Sequence, residues 1–155
     1  MSDQKVSIQA EDFDVAQLQR ELFGEHTTGA IASFTGLVRS NNADREVAVM
    51  ELEHYPGMTE RSIEKIMSEA SERWKLLAIR VVHRVGALRP GEQIVYVGVA
   101  SSHRGDAFAA CEFVMDYLKT RAPFWKKELT SKGEYWVEER SSDQQSAQRW
   151  DLSPK

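Results

Sequence analysis

A chain of 155 residues, 41% of them hydrophobic, with a net charge of −4, fits one compact domain with a substantial core. It shows no eighteen-residue apolar run, its polar start MSDQKVSIQAED lacks an export-signal layout, and its acidic balance argues against membrane insertion, export and broad nucleic-acid binding alike. The single cysteine, Cys111, excludes an internal disulfide and a cysteine-based zinc cluster, so a cytoplasmic setting is expected.

Val15, Leu18 and Leu22 recur at helical spacing behind Asp12 and Asp14, with Gly24 as a stop, and predict a short first helix. The apolar run 29–38 predicts a mostly buried strand with Arg39 at its exit. Residues 40–45 are all turn and polar chemistry and predict an exposed loop. Residues 47–54 predict a second strand, punctuated by Pro56 and Gly57. Ile63, Ile66, Met67, Ala70, Trp74 and Leu77 mark one stripe of a helix over 58–77 that packs on a sheet. Residues 79–85 and 93–100 predict two strands joined by a Pro-Gly hairpin turn within 87–91. Ala107, Phe108, Cys111, Val114, Met115 and Leu118 form a second helical stripe, capped by Ser101 and Ser102 and closed before Pro123. Residues 134–139 predict a last strand, and the polar run from Ser141 a loose tail pinned by Trp150. The order predicts an α+β layered domain over residues 1–140, its helices covering one face of a largely antiparallel sheet, with a polar tail over 141–155.

Cys111 lies inside the apolar stripe of its helix and reads as a small buried hydrophobe rather than a nucleophile. His26, His54, His83 and His103 are scattered without metal-ligand spacing, and no Gly-x-x-x-x-Gly-Lys loop occurs, so neither metal nor cofactor is expected. Ser101 to Gly105 places two hydroxyls, an imidazole and a guanidinium at a helix start, which reads as ordinary capping or as a phosphate seat.

The segment from Lys119 to Lys127 gathers four cations and no acid in nine residues. Such crowding suits a bound anion, or a lysine used in its neutral form, because neighbouring positive charge lowers an amine's pKa. The plainer reading is a solvated basic face anchored by Phe124 and Trp125. Met115 and Lys119 share one helix face, and a turn at Pro123 folds Lys126 back beside Lys119. Arg104 and Lys119 stand about 22 Å apart along a continuous helix, too far for one small pocket, so a site using both needs a second protomer.

Five motifs, Gly29-Ala-x-x-x-Phe34-x-Gly-x-Val-Arg39, Leu52-Glu-x-Tyr55, His83-Arg-Val-Gly86, Ser102-His-Arg104 and the stretch from Lys119 through Pro123-x-Trp-Lys-Lys-Glu128 to Gly133, together resemble the large catalytic subunit of molybdopterin synthase. The resemblance spans about residues 5–140. It implies a hammerhead-like α+β fold with a small β subdomain, and a sulfurtransferase of molybdenum cofactor biosynthesis. Such an enzyme converts cyclic pyranopterin monophosphate to molybdopterin by adding two dithiolene sulfurs. The donor it implies is a small ubiquitin-like subunit with a C-terminal Gly-Gly thiocarboxylate, one at each end of a central homodimer, making a heterotetramer.

By position, Lys119 and Lys126 match the family's catalytic lysines, which exchange protons during sulfur attack, with Lys119 nearest the incoming glycine tail. Arg39, Lys127 and the backbone around Leu37 and Val38 match the substrate-binding set. His103, Arg104 and Arg140 would reach across the dimer to phosphate and pterin, and Phe34 and Met115 would form an apolar wall. Glu128 either orients Lys126 or binds pterin nitrogens. The 40–45 loop, bordering Arg39, is a candidate lid. Rival readings are a noncatalytic adaptor for the ubiquitin-like tail and a single-stranded RNA binder built on Trp125, the latter disfavoured by the acidic balance.

Overall fold

The computed structural model describes residues 2–24, 26–42, 45–137 and 141–151. In chain order these form β1 (Asp3–Gln9), α1 (Val15–Leu22), β2 (Ala30–Leu37), β3 (Asn41–Asn42), β4 (Arg45–Glu46), β5 (Val49–His54) and α2 (Met58–Arg73). There follow β6 (Ala78–Arg84), β7 (Gly86–Leu88), β8 (Gln93–Ser101), α3 (Arg104–Thr120), β9 (Phe124–Thr130), β10 (Gly133–Val137) and α4 (Ser141–Asp151).

Strand alternation explains the layering. The first sheet runs β1-β6-β8-β2, with β1 parallel to β6 and the other pairs antiparallel. On β6 and β8 the odd residues Ile79, Val81, Val95, Val97 and Val99 join one core, and the even residues Ala78, Val82, Tyr96 and Ala100 join another. A sheet apolar on both faces must be covered on both. The stripes of α2 and α3 cover the odd face through Ile63, Ile66, Met67, Phe113 and Val114. Leu22 of α1 covers the even face with Val15 and Leu18, so the helices do not all lie on one side, as the sequence order had suggested. The fold class is α+β, with the sheets mostly antiparallel.

The second sheet runs β10-β9-β5-β7, all antiparallel, and buries Met50, Leu52 and Leu88 with Val38 in a small core of its own. The expected Pro90-Gly91 turn forms, the Glu92 amide donating to the Arg89 carbonyl at 3.0 Å, but the connection between β6 and β8 also carries β7, whose Gly86–Leu88 pairs with β5 in the second sheet. Other differences have local causes. The 40–45 segment, expected as a loop, pairs Asn41 with Glu46 and Asn42 with Arg45; residues 43 and 44 lie outside the described ones. Helix α2 stops at Arg73 because Trp74 is extended (φ −132°, ψ 157°), which frees Leu76 and Leu77 to enter cores on opposite faces of the first sheet.

At the start of α3 the expected Ser102 cap is absent. Ser102 Oγ donates to the Thr27 carbonyl and Ser101 Oγ to the Lys75 carbonyl, leaving His103 as an N-cap without a side-chain bond. The tail expected to be loose is α4 as far as Asp151. The pinning by Trp150 is as expected: its ring meets Trp74 and Phe113 edge-on at 5.5 Å, and its Nε1 donates to Asp116 at 2.6 Å.

Candidate functional site

The four cations of the 119–127 segment separate in the folded chain. Arg121 turns back toward α2, donates to Glu69 at 3.1 Å and lies over the Tyr117 ring. The chain then enters β9, where successive side chains face opposite ways, so Lys126 and Lys127 diverge. Lys127 sits on the outer face with Trp125. Its Nζ lies 3.8 Å from Glu51, 3.5 Å from Glu134 and 5.3 Å from the centre of the Trp136 ring. Lys126 faces inward and, with Lys119 from the last turn of α3, lines a cavity of about 580 Å³.

The turn that brings Lys126 there is held by one hydroxyl. Thr59, fully buried at the start of α2, accepts from the Tyr55 amide at 2.9 Å and donates to the Pro123 carbonyl at 3.0 Å. Phe34, Leu37 and Arg39 reach the same cavity from β2 and its exit, and Met115 from α3, one helical turn before Lys119. Arg39, Lys119 and Lys126 make the cavity cationic, and Asp143 of α4 adds one carboxylate.

The remaining expected site residues lie elsewhere. Val38 points into the core of the second sheet, and its backbone is engaged by the neighbouring turn, the amide donating to Glu92 at 2.9 Å and the carbonyl accepting from Gly91 at 2.8 Å. Lys127 is on the wrong face of β9 to reach the cavity. Glu128 shares the inward face of β9 with Lys126 but is wholly buried. His103 and Arg104 open α3, whose unbroken run from Arg104 to Thr120 holds them a full helix length from Lys119. Arg140 lies outside the described residues.

Of the further lining residues, His83 was given no role in the sequence and Phe124 only that of an anchor for the basic face. His83 ends the odd face of β6, and Phe124 is two residues ahead of Lys126 on the same face of β9. Their rings stack at 3.8 Å with planes 16° apart. Burial, with further opposition from Lys126, Lys119 and His54, outweighs the bond to the Arg84 carbonyl and pushes the His83 imidazole down to about 3. Period-two alternation along 79–83 was the available signal for His83. The described helices include none long and apolar enough to cross a membrane.

A family model described as MoaE protein matches residues 8–121. The chain belongs to the MoaE protein family. The similarity of this MoaE-family chain to curated relatives extends over nearly its whole length. It is 55% identical over 149 residues to the molybdopterin synthase catalytic subunit of Vibrio cholerae, covering 96% of this chain and 99% of the relative. Among solved structures it resembles the molybdopterin biosynthesis MoaE protein of Burkholderia ambifaria, with 52% identity, TM-score 0.82, and 99% and 100% of the two chains covered. It also resembles molybdopterin synthase from Staphylococcus aureus, with 31% identity, TM-score 0.80, and coverage of 85% and 96%.

Proposed function

We propose that this chain is the catalytic subunit of a molybdopterin synthase, converting cyclic pyranopterin monophosphate to molybdopterin with sulfur carried as a thiocarboxylate by a small ubiquitin-like subunit. Membership of the MoaE family supports the reaction. The observation that carries the reading onto residues is the meeting of Lys119 and Lys126, from a helix end and a separate strand, in one cavity that Arg39 also lines. Three cations, Arg39 and Lys119 exposed at the cavity and Lys126 half-buried within it, stabilise a cyclic phosphate and the anionic thiocarboxylate together. Lys119 and Lys126 exchange protons as sulfur attacks and the cyclic phosphate opens, and Phe34 and Met115 hold the heterocycle on an apolar wall.

Among the described residues, His103 and Arg104, which the resemblance assigns to phosphate and pterin, do not line the cavity, because they sit at the far end of α3. A homodimer supplies them from the second copy, and each copy carries one small subunit, giving a heterotetramer. A cytoplasmic setting suits a chain whose one cysteine is buried with its thiol pushed up to about 12 by desolvation.

Mixing the purified chain with thiocarboxylated small subunit and the cyclic pterin tests the reading. Dithiolene product is expected, and Lys119→Ala is expected to lose it by at least about a hundredfold while still binding the small subunit. Unchanged turnover in Lys119→Ala would overturn the assignment of that lysine, and a chain that binds the small subunit but makes no product would be an adaptor.

A further inference from the structure

A histidine lines the lysine cavity without a task in the chemistry just described. His83 follows Ile79 and Val81 on the odd face of β6, set by register against Val95 and Ile8. Its ring is clamped twice: Phe124 lies flat against it, and Nδ1 stands 2.8 Å from the Arg84 carbonyl oxygen. A carbonyl oxygen can only accept, so Nδ1 carries the hydrogen and Nε2 is left with a lone pair. Turning the ring over would break that bond.

The groups around this imidazole decide what it can do. Lys126 from β9, Lys119 from α3 and His54 from β5 all oppose a positive charge on it, and it is buried. A base this weak does not take a proton from an amine near neutral pH. It does accept a hydrogen bond. Lys126 already engages another group of the chain, whereas no hydrogen bond or ion pair reaches the Lys119 amine among the described residues.

We propose that His83 is a positioning residue for sulfur transfer, its Nε2 accepting a hydrogen bond from the Lys119 ammonium and so fixing where that cation stands as the anionic substrates enter. The proposal rests on the synthase reading above. A neutral acceptor orients the lysine without adding a further cation to a crowded cavity, which a surface histidine would do on protonation.

The test uses the full chain with its thiocarboxylated small subunit. His83→Phe keeps a flat ring on Phe124 and removes both nitrogens, and His83→Gln returns an acceptor oxygen near the place of Nε2. For His83→Phe, kcat is expected to fall about 10- to 100-fold, the size of a lost hydrogen bond to a charged donor, with a smaller change in KM. His83→Gln is expected to recover a measurable part of that loss, which a purely structural role would not produce. Nitrogen-15 spectra of the histidine-labelled wild-type chain are expected to show His83 as the neutral Nδ1–H tautomer from pH 8 to pH 5.

A folded His83→Phe with kcat within about twofold of wild type, or spectra showing an Nε2–H ring or an imidazolium, would overturn the proposal. Because the spectra need no substitution, this holds even if both variants fail to fold. A wild-type chain that makes no dithiolene product would instead overturn the synthase reading and the catalytic role of His83 with it. An active wild type beside an equally active His83→Phe removes only the role of His83.

Discussion

His83 gives up its ability to ionise when the chain folds. Its ordinary value of 6.5 applies to the unfolded chain and falls to about 3 in the native one, so below pH 6.5 the unfolded state binds a proton that the folded state refuses. Its contribution is therefore complete above pH 6.5 and is lost progressively as pH falls toward about 3. The expected size of the loss is roughly a few kcal/mol. Urea unfolding of wild type and His83→Phe at pH 7, 5 and 4 checks this: the variant should lose less stability across the series, and parallel curves would contradict it. Cys111 illustrates the same desolvation acting on an acid, where burial keeps the thiol protonated beside the Val97 carbonyl. Its apolar stripe had already made that environment legible.

At the scale of elements, legibility followed periodicity. Helices α2 and α3 carry clean stripes and were located, as were β2, β5, β6, β8 and β10. Strand β1 offers only Val6 and Ile8 as an alternating apolar pair on a sheet edge, too short a signal to stand out. Strand β9 was hidden by its charges: Lys126 and Lys127 read as one basic cluster until pairing with β5 and β10 assigns them to opposite faces. That is why the sequence can bring Lys119 and Lys126 together at one turn but does not show that Lys127 faces the other way. Helix α4 has a polar sequence and is held by α3, through Trp150 and the ion pairs of Arg149 with Glu112 and Asp116.

The motif glycine at the entrance to β2 has a steric reason. A Cβ on Gly29 would stand 2.3 Å from the Ser102 carbonyl oxygen, a backbone atom just ahead of α3. Gly29→Ala is expected to destabilise the chain by about 1–3 kcal/mol, because the start of the helix must shift to admit the methyl. Thermal melting reads this directly, and a melting temperature equal to wild type would show that the entry to α3 yields more easily than its packing implies.

The molecule as a whole is incomplete as a single copy if one pocket is to hold both the lysines and the helix-start cations. Sharing between copies makes a quantitative prediction. Lys119→Ala and Arg104→Ala chains, each inactive alone, should regain activity when dissociated and mixed, since one of the two sites in a mixed dimer receives both intact residues. Random pairing gives about a quarter of wild-type activity. No recovery in mixtures shown to contain mixed dimers would mean that each copy builds its own site. The pairing of Lys119 with Lys126 was legible because they are close in sequence, and the need for a second copy followed from helix length; the face that Lys127 takes was not legible, because strand register is a long-range property.

The uninterrupted backbone of α3 is a rigid spacer between the helix-start cations and Lys119, the two halves of the proposed site. One residue inserted between Arg104 and Lys119 would rotate the lysine by about 100° around the axis and swing it off the cavity wall. Loops elsewhere can drift in length, but under the proposed two-copy site the residue count along this rod would have to match the distance at which the copies meet.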